Sequence, residues 1–280
     1  ASEEELITQL DEINMQKEKI NFFAEHDALT KLPNRQSLKQ HAESSICRDH
    51  EGAIILIDMD NFKSINDTLG HILGDEVLII VANRLNKLIQ DNIFISRFGG
   101  DEFLILFEHT KDTIDLQTFV DLIFHAFDEP IEINGNNIKI DFSMGISKFP
   151  QDSSIFNQIM MNADLALYTV KNSGKNNYAF FNTTMEHQLK QKNEVKEIIQ
   201  IALKNDGFKM VYQPKVSLSA KKIVGYEALV RLKDYNLSPV TFIQIAEEYG
   251  LIIPLGRMVT QKVIEQMAKW SSDGVVLKPV

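Results

Sequence analysis

With 280 residues the chain has room for two hydrophobic cores, and 29 lysines and arginines against 39 aspartates and glutamates give a net charge of −10. That balance excludes a general nucleic-acid binder, because phosphate-backbone affinity needs a basic face. The single cysteine, Cys47, excludes an intramolecular disulfide and suits a reducing compartment. No run of about twenty apolar residues and no basic-then-apolar leader occurs, so no direct membrane insertion and a cytoplasmic setting are expected.

Residues 1–24 read as a signalling or linker helix, with Leu6, Ile13 and Ile20 at seven-residue spacing, Leu10 and Ala24 on a neighbouring seam, and Lys17 interrupting it. Either an amphipathic helix packed on its own domain or a short parallel coiled coil pairing two chains fits this pattern. A helix follows from Asn34 to about Cys47. Strand 52–59 contains Ala53-Ile54-Ile55-Leu56-Ile57, too uniformly apolar for a surface strand, and it runs directly into Asp58-Met59-Asp60. Buried carboxylates need a partner, and a metal would supply one.

Further elements are expected as helix 74–89, strand 93–98, strand 102–108, helix 115–127, strand 137–143, helix 154–172 and strand 177–181. Gly99-Gly100 permits a tight hairpin between the second and third strands, which leaves Asp101 and Glu102 at its tip or just beyond. This order of elements fits an α+β domain with a central mixed or antiparallel sheet and helices stacked on one side.

The candidate chemistry follows from residue type. Asp58 and Asp101 offer hard oxygen ligands suited to Mg2+ (or Mn2+), which keeps part of its shell for water and phosphates. Glu102 is placed to join the metal or to accept a proton. From residue type alone Asn66 reads as a turn residue and Asp75 as a first-turn helix carboxylate, although together they offer a donor–acceptor amide and an acceptor-only carboxylate. Lys171 and Lys175, four apart around Gly174, would place two cations on one face for phosphate oxygens. Lys63 is either a substrate contact or a solvated lysine. Arg97, directly before the hairpin, either stabilises transition-state charge or pairs with a carboxylate.

The string Gly99-Gly100-Asp101-Glu102-Phe103 resembles the signature of GGDEF domains, the diguanylate cyclases that condense two GTP into cyclic di-GMP. The resemblance extends in order through Asp27 to Arg35, Asp58 to Asp60, Phe62 to Asp67, Gly70 to Asp75 and Ala163 to Tyr168. It implies a ferredoxin-like palm of the nucleotidyl-cyclase type. It also implies metal ligation by Asp58, the Met59 carbonyl, Asp101 and Glu102, and base recognition by Asn66 and Asp75. Catalysis by Glu102, Asp101 and Arg97, with GTP held further by Lys63, Lys171 and Lys175, completes what it implies. One site holds one GTP, so two domains must face each other, and a homodimer is the expected catalytic form.

Two departures from the family stand out. Lys175 replaces the usual arginine and loses its planar fork. The Arg-x-x-Asp product-inhibition motif is replaced by Gln90 and Ile93, so feedback inhibition at that surface is not expected.

Beyond Asn182 a helical linker, 183–205, leads to Phe208 through Pro214 and Ile223 through Arg231, which resemble the opening of an EAL domain, a modified β/α barrel that hydrolyses cyclic di-GMP with metals. Glu227 matches its first metal-binding glutamate. About a third of such a barrel would lie in 206–280, so phosphodiesterase activity is not expected from this chain. The sequence is expected to be a fragment of a longer protein with an upstream sensor, whose parent could be membrane-tethered. The domain boundaries read 1–24, 25–182, 183–205 and 206–280. A non-catalytic GTP-binding regulator of a GGDEF–EAL phosphodiesterase is the alternative function.

Overall fold

The computed structural model describes residues 13, 15–17, 20, 22–48, 50–109 and 114–274. Its chain divides into two compact units, Ala1–Met185 and Glu186–Val280. Most of the proposed first helix, including Leu6 and Leu10, lies outside the described residues. Those that are described are helical there, and Ile13 and Ile20 are exposed.

In the first unit β1 (Gly52–Met59) is the central strand. It pairs antiparallel with β3 (Glu102–Glu108) on one side and with β6 (Phe142–Phe149) on the other. The remaining strands of the sheet are β2 (Ile93–Gly99), the hairpin partner of β3, and β7 (Tyr178–Phe180), which runs parallel to β6. The order is β2-β3-β1-β6-β7. Side chains alternate along β1. Ala53, Ile55, Ile57 and Met59 enter one core, and Ile54 and Leu56 enter another.

The two cores correct the expectation of helices on one side only. Helices α1 (Arg35–Cys47) and α5 (Phe156–Asn172) cover the Ile54 face. Helices α2 (Phe62–Leu69), α3 (His71–Asn86) and α4 (Leu116–His125) cover the Ile55 face. A strand that is apolar on both faces has to be covered on both.

Three local assignments also differ from the sequence pattern. Phe62–Leu69 is a helix, with Phe62 buried and Ile65 and Leu69 packed behind it at helical spacing. Gly70 then turns the chain at φ +86°, and α3 begins at His71, so Gly74 lies inside the helix. The strand expected at 137–143 is two elements. Asn136–Ile138 (β5) pairs with Ile131–Ile133 (β4) in a separate hairpin, and Phe142–Phe149 is the full-length neighbour of β1.

The reason β6 is hard to read is its second face. Phe142, Met144 and Ile146 fill the larger core, whereas Ser143, Gly145 and Ser147 are small and fully buried. A Cβ at Gly145 would sit 2.0 Å from the Ala163 carbonyl oxygen and 2.4 Å from the Leu167 nitrogen of α5. Small residues let that helix backbone lie against the sheet.

In the second unit the long helix α6 (Thr183–Lys204) leads to the antiparallel pair β8 (Phe208–Ser217) and β9 (Lys222–Leu232), followed by α7 (Pro239–Glu248) and α8 (Ile252–Ser272). Ile199, Ala202, Phe208, Leu232, Phe242, Ile245 and Leu255 form its core. Asp206 receives Lys233 at 2.7 Å and also Lys262, and these two hydrogen-bonded ammonium groups hold its pKa at about 2.

Replacing Gly145 with alanine should destabilise the first unit by about 1–3 kcal/mol, the usual scale of overpacking. The check is the denaturant midpoint, which falls if α5 must be pushed off the sheet and stays put if the close approach is unimportant.

Candidate active site

Three segments meet at the carboxyl end of β1. Asp58 is its penultimate residue and pairs in register with Glu102 on β3 and with Ser143 on β6. Gly99 and Gly100, at φ +149° and +55°, turn β2 back into β3, and the Met59 amide donates to the Asp101 carbonyl at 3.3 Å. The sheet register therefore sets Asp58, Met59, Asp101 and Glu102 side by side. Lys171, in the last turn of α5, reaches Asp58 Oδ2 with its Nζ at 2.7 Å.

Asp58 is only 8% exposed, and burial pushes its carboxyl upward; Lys171 opposes this, while Asp101 and Asp60 add to it. Glu102 is raised too, by burial first and then by Asp58, Asp101 and Asp164, against Lys171. Carboxylates crowded around one ammonium group thus add to the upward shifts of Asp58 and Glu102, which is a field that favours additional positive charge. Among the described residues no three His, Cys, Asp or Glu side chains stand ready-grouped as a metal cluster. The donor chemistry nevertheless fits a hard divalent cation: carboxylate oxygens on neighbouring strand ends, with room for water and phosphate in the rest of the shell.

Arg97 is committed locally. Its Nη1 donates to Asp27 Oδ1 at 3.0 Å, and its Nε and Nη2 donate to the Gly100 carbonyl at 3.2 and 2.7 Å. Asp27 Oδ1 also receives the Thr30 amide and hydroxyl at 2.8 and 2.7 Å. Burial alone would raise the pKa of Asp27, but the Thr30 donors and Arg97 outweigh it and hold the carboxyl below its ordinary value. The turn preceding Asp101 is thereby tied to the turn that follows residue 26.

Asn66 is half-buried on α2, and Asp75 is exposed on α3. A Cβ at Gly74 would lie 1.9 Å from Asn66 Oδ1, so the absent side chain at 74 is what allows the Asn66 amide to rest beside Asp75's turn of helix. Lys63 is exposed on α2. Lys175 does not share a helical face with Lys171 as the spacing suggests, because α5 ends at Asn172. Gly174, Lys175 and Asn176 follow at φ +119°, +64° and +44°, and Lys175 Nζ donates to Asn61 Oδ1 at 2.8 Å. Glu227 belongs to the second unit, exposed on β9 opposite Gln213, with Lys215 Nζ at 3.9 Å.

Sequence reasoning assigned no role to Asp27, Asn61, Ser143 or Asp164, and it paired Asp60 with Asp58 as a carboxylate needing a metal, whereas Asp60 is bonded to Ser143 and Asn176. Asp27 and Asp164 lie in the quoted motifs, so the signal for them was present. Ser143 becomes visible only once β6 is placed beside β1.

Residues 24–177 match the family model described as "Diguanylate cyclase, GGDEF domain". The chain belongs to the GGDEF family. Residues 196–279 match the EAL domain model, so a partial EAL segment follows the GGDEF domain. Among curated proteins, the chain is 34% identical over 256 residues to the bifunctional diguanylate cyclase/cyclic di-GMP phosphodiesterase MucR of Pseudomonas aeruginosa, covering 89% of this chain and 37% of that protein. It is 31% identical over 276 residues to the cyclic di-GMP phosphodiesterase PdeR of Escherichia coli, covering 97% of this chain and 42% of the relative. The chain therefore spans about two fifths of the length of these relatives. A solved structure of the GGDEF domain of TpbB (YfiN) from Pseudomonas aeruginosa superposes with a TM-score of 0.56 at 28% identity, covering 59% of this chain and 99% of that one. The first unit of this GGDEF protein is thus a nucleotidyl-cyclase-type palm, and the family ties the chain to cyclic di-GMP signalling. Among its described residues no helix is long and apolar enough to cross a membrane.

The depressed Asp27 pKa carries a sign. Its contribution to stability is present above the ordinary aspartate value of about 3.9 and is lost as pH falls through the lower folded value. Asp27→Asn should cost about 1–3 kcal/mol at pH 7, the scale of charged hydrogen bonds left unmade. The gap to the unsubstituted protein should close in acid. Denaturation midpoints at both pH values test this, and a gap that persists unchanged below the Asp27 titration contradicts it.

Proposed function

We propose that the GGDEF domain of this chain is a diguanylate cyclase that joins two GTP into cyclic di-GMP and releases two pyrophosphates. The observation that carries this reading is the pairing of Asp58 with Glu102 across adjacent strands, next to Asp101 and within reach of Lys171. All the carboxylates the reaction calls for are intact and lie at one end of the sheet.

Mg2+ (or Mn2+), held by Asp58, the Met59 carbonyl, Asp101 and Glu102, would supply charge neutralisation at the triphosphate. Lys171 and Lys175 bind phosphate oxygens, with Lys63 as a further cation at the rim. Asn66 and Asp75 face the guanine edge, the amide donating and accepting and the carboxylate only accepting. The 3′-hydroxyl of one GTP attacks the α-phosphorus of the other, the bond to pyrophosphate breaks, and the hydroxyl proton passes to a base. Glu102 suits that base because it stands on β3 in register with Asp58, beside the turn that carries Asp101. Arg97, bound to the Gly100 carbonyl, holds the turn that presents Asp101 and Glu102. Each site takes one GTP, so two protomers meet face to face for each of the two bond-forming steps. A GTP-dependent role places the domain in the cytoplasm, downstream of whatever sensor a longer parent carries.

The match to the EAL model and to a relative named as a phosphodiesterase favours a second reading, a GTP-binding module that regulates an adjoining phosphodiesterase without turnover. Glu227 would then serve the EAL part, as its first metal ligand.

Incubation of the purified chain with GTP and Mg2+, with products separated by chromatography, decides between them. Cyclic di-GMP should accumulate more steeply than in proportion to protein concentration. Asp101→Ala should lower the rate by at least about 100-fold, the scale of losing a transition-state electrostatic contact. GTP binding without product would support the regulatory module, and neither binding nor product would overturn both readings.

A further inference from the structure

Asp60 has no role in the mechanism above, yet both of its carboxylate oxygens are engaged beside the site. Its two carboxylate oxygens accept the Ser143 hydroxyl at 2.8 and 3.0 Å, and Oδ2 accepts the Asn176 amide at 2.9 Å. Its own amide donates to the Asp141 carbonyl at 2.9 Å. Ser143 is fully buried on β6, so the sheet itself fixes the direction in which the carboxylate points.

The segment held by this carboxylate is unusual. Gly174, Lys175 and Asn176 are consecutive residues at positive φ, and the last two are not glycine. Such backbone is unfavourable for residues that carry a side chain and persists where surrounding bonds over-determine it. The Asp60–Asn176 bond is one such restraint. Lys175 Nζ on Asn61 Oδ1 at 2.8 Å is the second, and the Lys175 amide on the Val170 carbonyl at 3.2 Å is the third.

Lys171 needs no such help, because α5 carries it to Asp58. Lys175 lies beyond the helix end and has to be delivered by other means. We propose that Asp60 is a positioning residue for the triphosphate clamp: by holding the 174–176 segment against the 58–61 turn, it sets Lys175 beside Asn61 while Lys171 sits beside Asp58. The inference rests on the nucleotide-binding reading, and Asp60 itself touches no substrate.

The test compares binding of 3′-deoxy-GTP, which lacks the attacking hydroxyl and cannot turn over, with binding of GMP, both in Mg2+. Asp60→Ala should weaken 3′-deoxy-GTP by about tenfold or more, the scale of one lost hydrogen bond to a charged group, while GMP changes by less than about twofold. In a Lys175→Met background the same substitution should add little, because Asp60 acts through that lysine. Asp60→Asn keeps one acceptor oxygen and should fall between, and it carries the comparison if the alanine variant does not fold. Equal losses for both ligands, no loss for 3′-deoxy-GTP, or an undiminished effect in the Lys175→Met background would each overturn the inference. Failure of the unsubstituted chain to bind 3′-deoxy-GTP would instead overturn the nucleotide reading on which it rests.

Discussion

A carboxylate at the end of a strand buried on both faces is the constraint around which this GGDEF domain is arranged. Ile54, Ile55 and Ile57 are completely buried, and the chain then presents Asp58 with almost no exposure. Burial makes the charged form of that carboxyl unfavourable, and the neighbouring elements supply what water would. Lys171 comes from α5, the helix that the small face of β6 admits to the sheet. The close packing of Gly145 against Ala163 and Leu167 is thus also what brings an ammonium group to Asp58. Fold stability and site geometry depend here on the same contact.

The turn motifs act on the same end of the sheet. Gly99 and Gly100 reverse the chain, but a glycine pair leaves a turn free to adopt many shapes. Arg97 narrows that freedom by bonding the Gly100 carbonyl and is itself held by Asp27. The link spans seventy residues of sequence and joins the segment after residue 26 to the strand that bears the signature. A movement of either segment is therefore felt by the other through one partly buried ion pair.

What the sequence made legible was local and periodic. The uniform apolar run Ala53–Ile57 announced a central strand, and the strand–Gly-Gly–strand pattern announced the hairpin with its acidic tip. The same patterns put Asp58 at the end of one buried strand and Glu102 at the start of another, and the resemblance assigned both to one site. The Phe62–Leu69 helix was harder, because its eight residues carry only three apolar positions. β6 was hidden because one face is Ser143, Gly145 and Ser147, whose value lies in what they leave out. Helical spacing misplaced Lys175 because it assumes a helix that Asn172 ends. Arg97 and Asp27 each have an obvious need for a partner, but nothing in one sequence pairs two residues so far apart.

The charge pattern of the site also explains why it can be stable without being satisfied. Burial and neighbouring carboxylates shift Asp58 and Glu102 upward in spite of Lys171. A domain selected for stability alone would replace some of these carboxylates with neutral groups, since like charges at close range raise the energy of the folded state. Asp60 shows the contrast, because its oxygens are engaged by Ser143 and Asn176. Carboxylates that hold structure are bonded to donors of the chain, whereas Glu102 is raised by burial and then by its acidic neighbours. Asp58 and Glu102 stand paired at the ends of β1 and β3, with Lys171 on Asp58 and Lys175 on Asn61, and under the proposed function those are the groups with which a polyphosphate and its counter-cation would exchange partners.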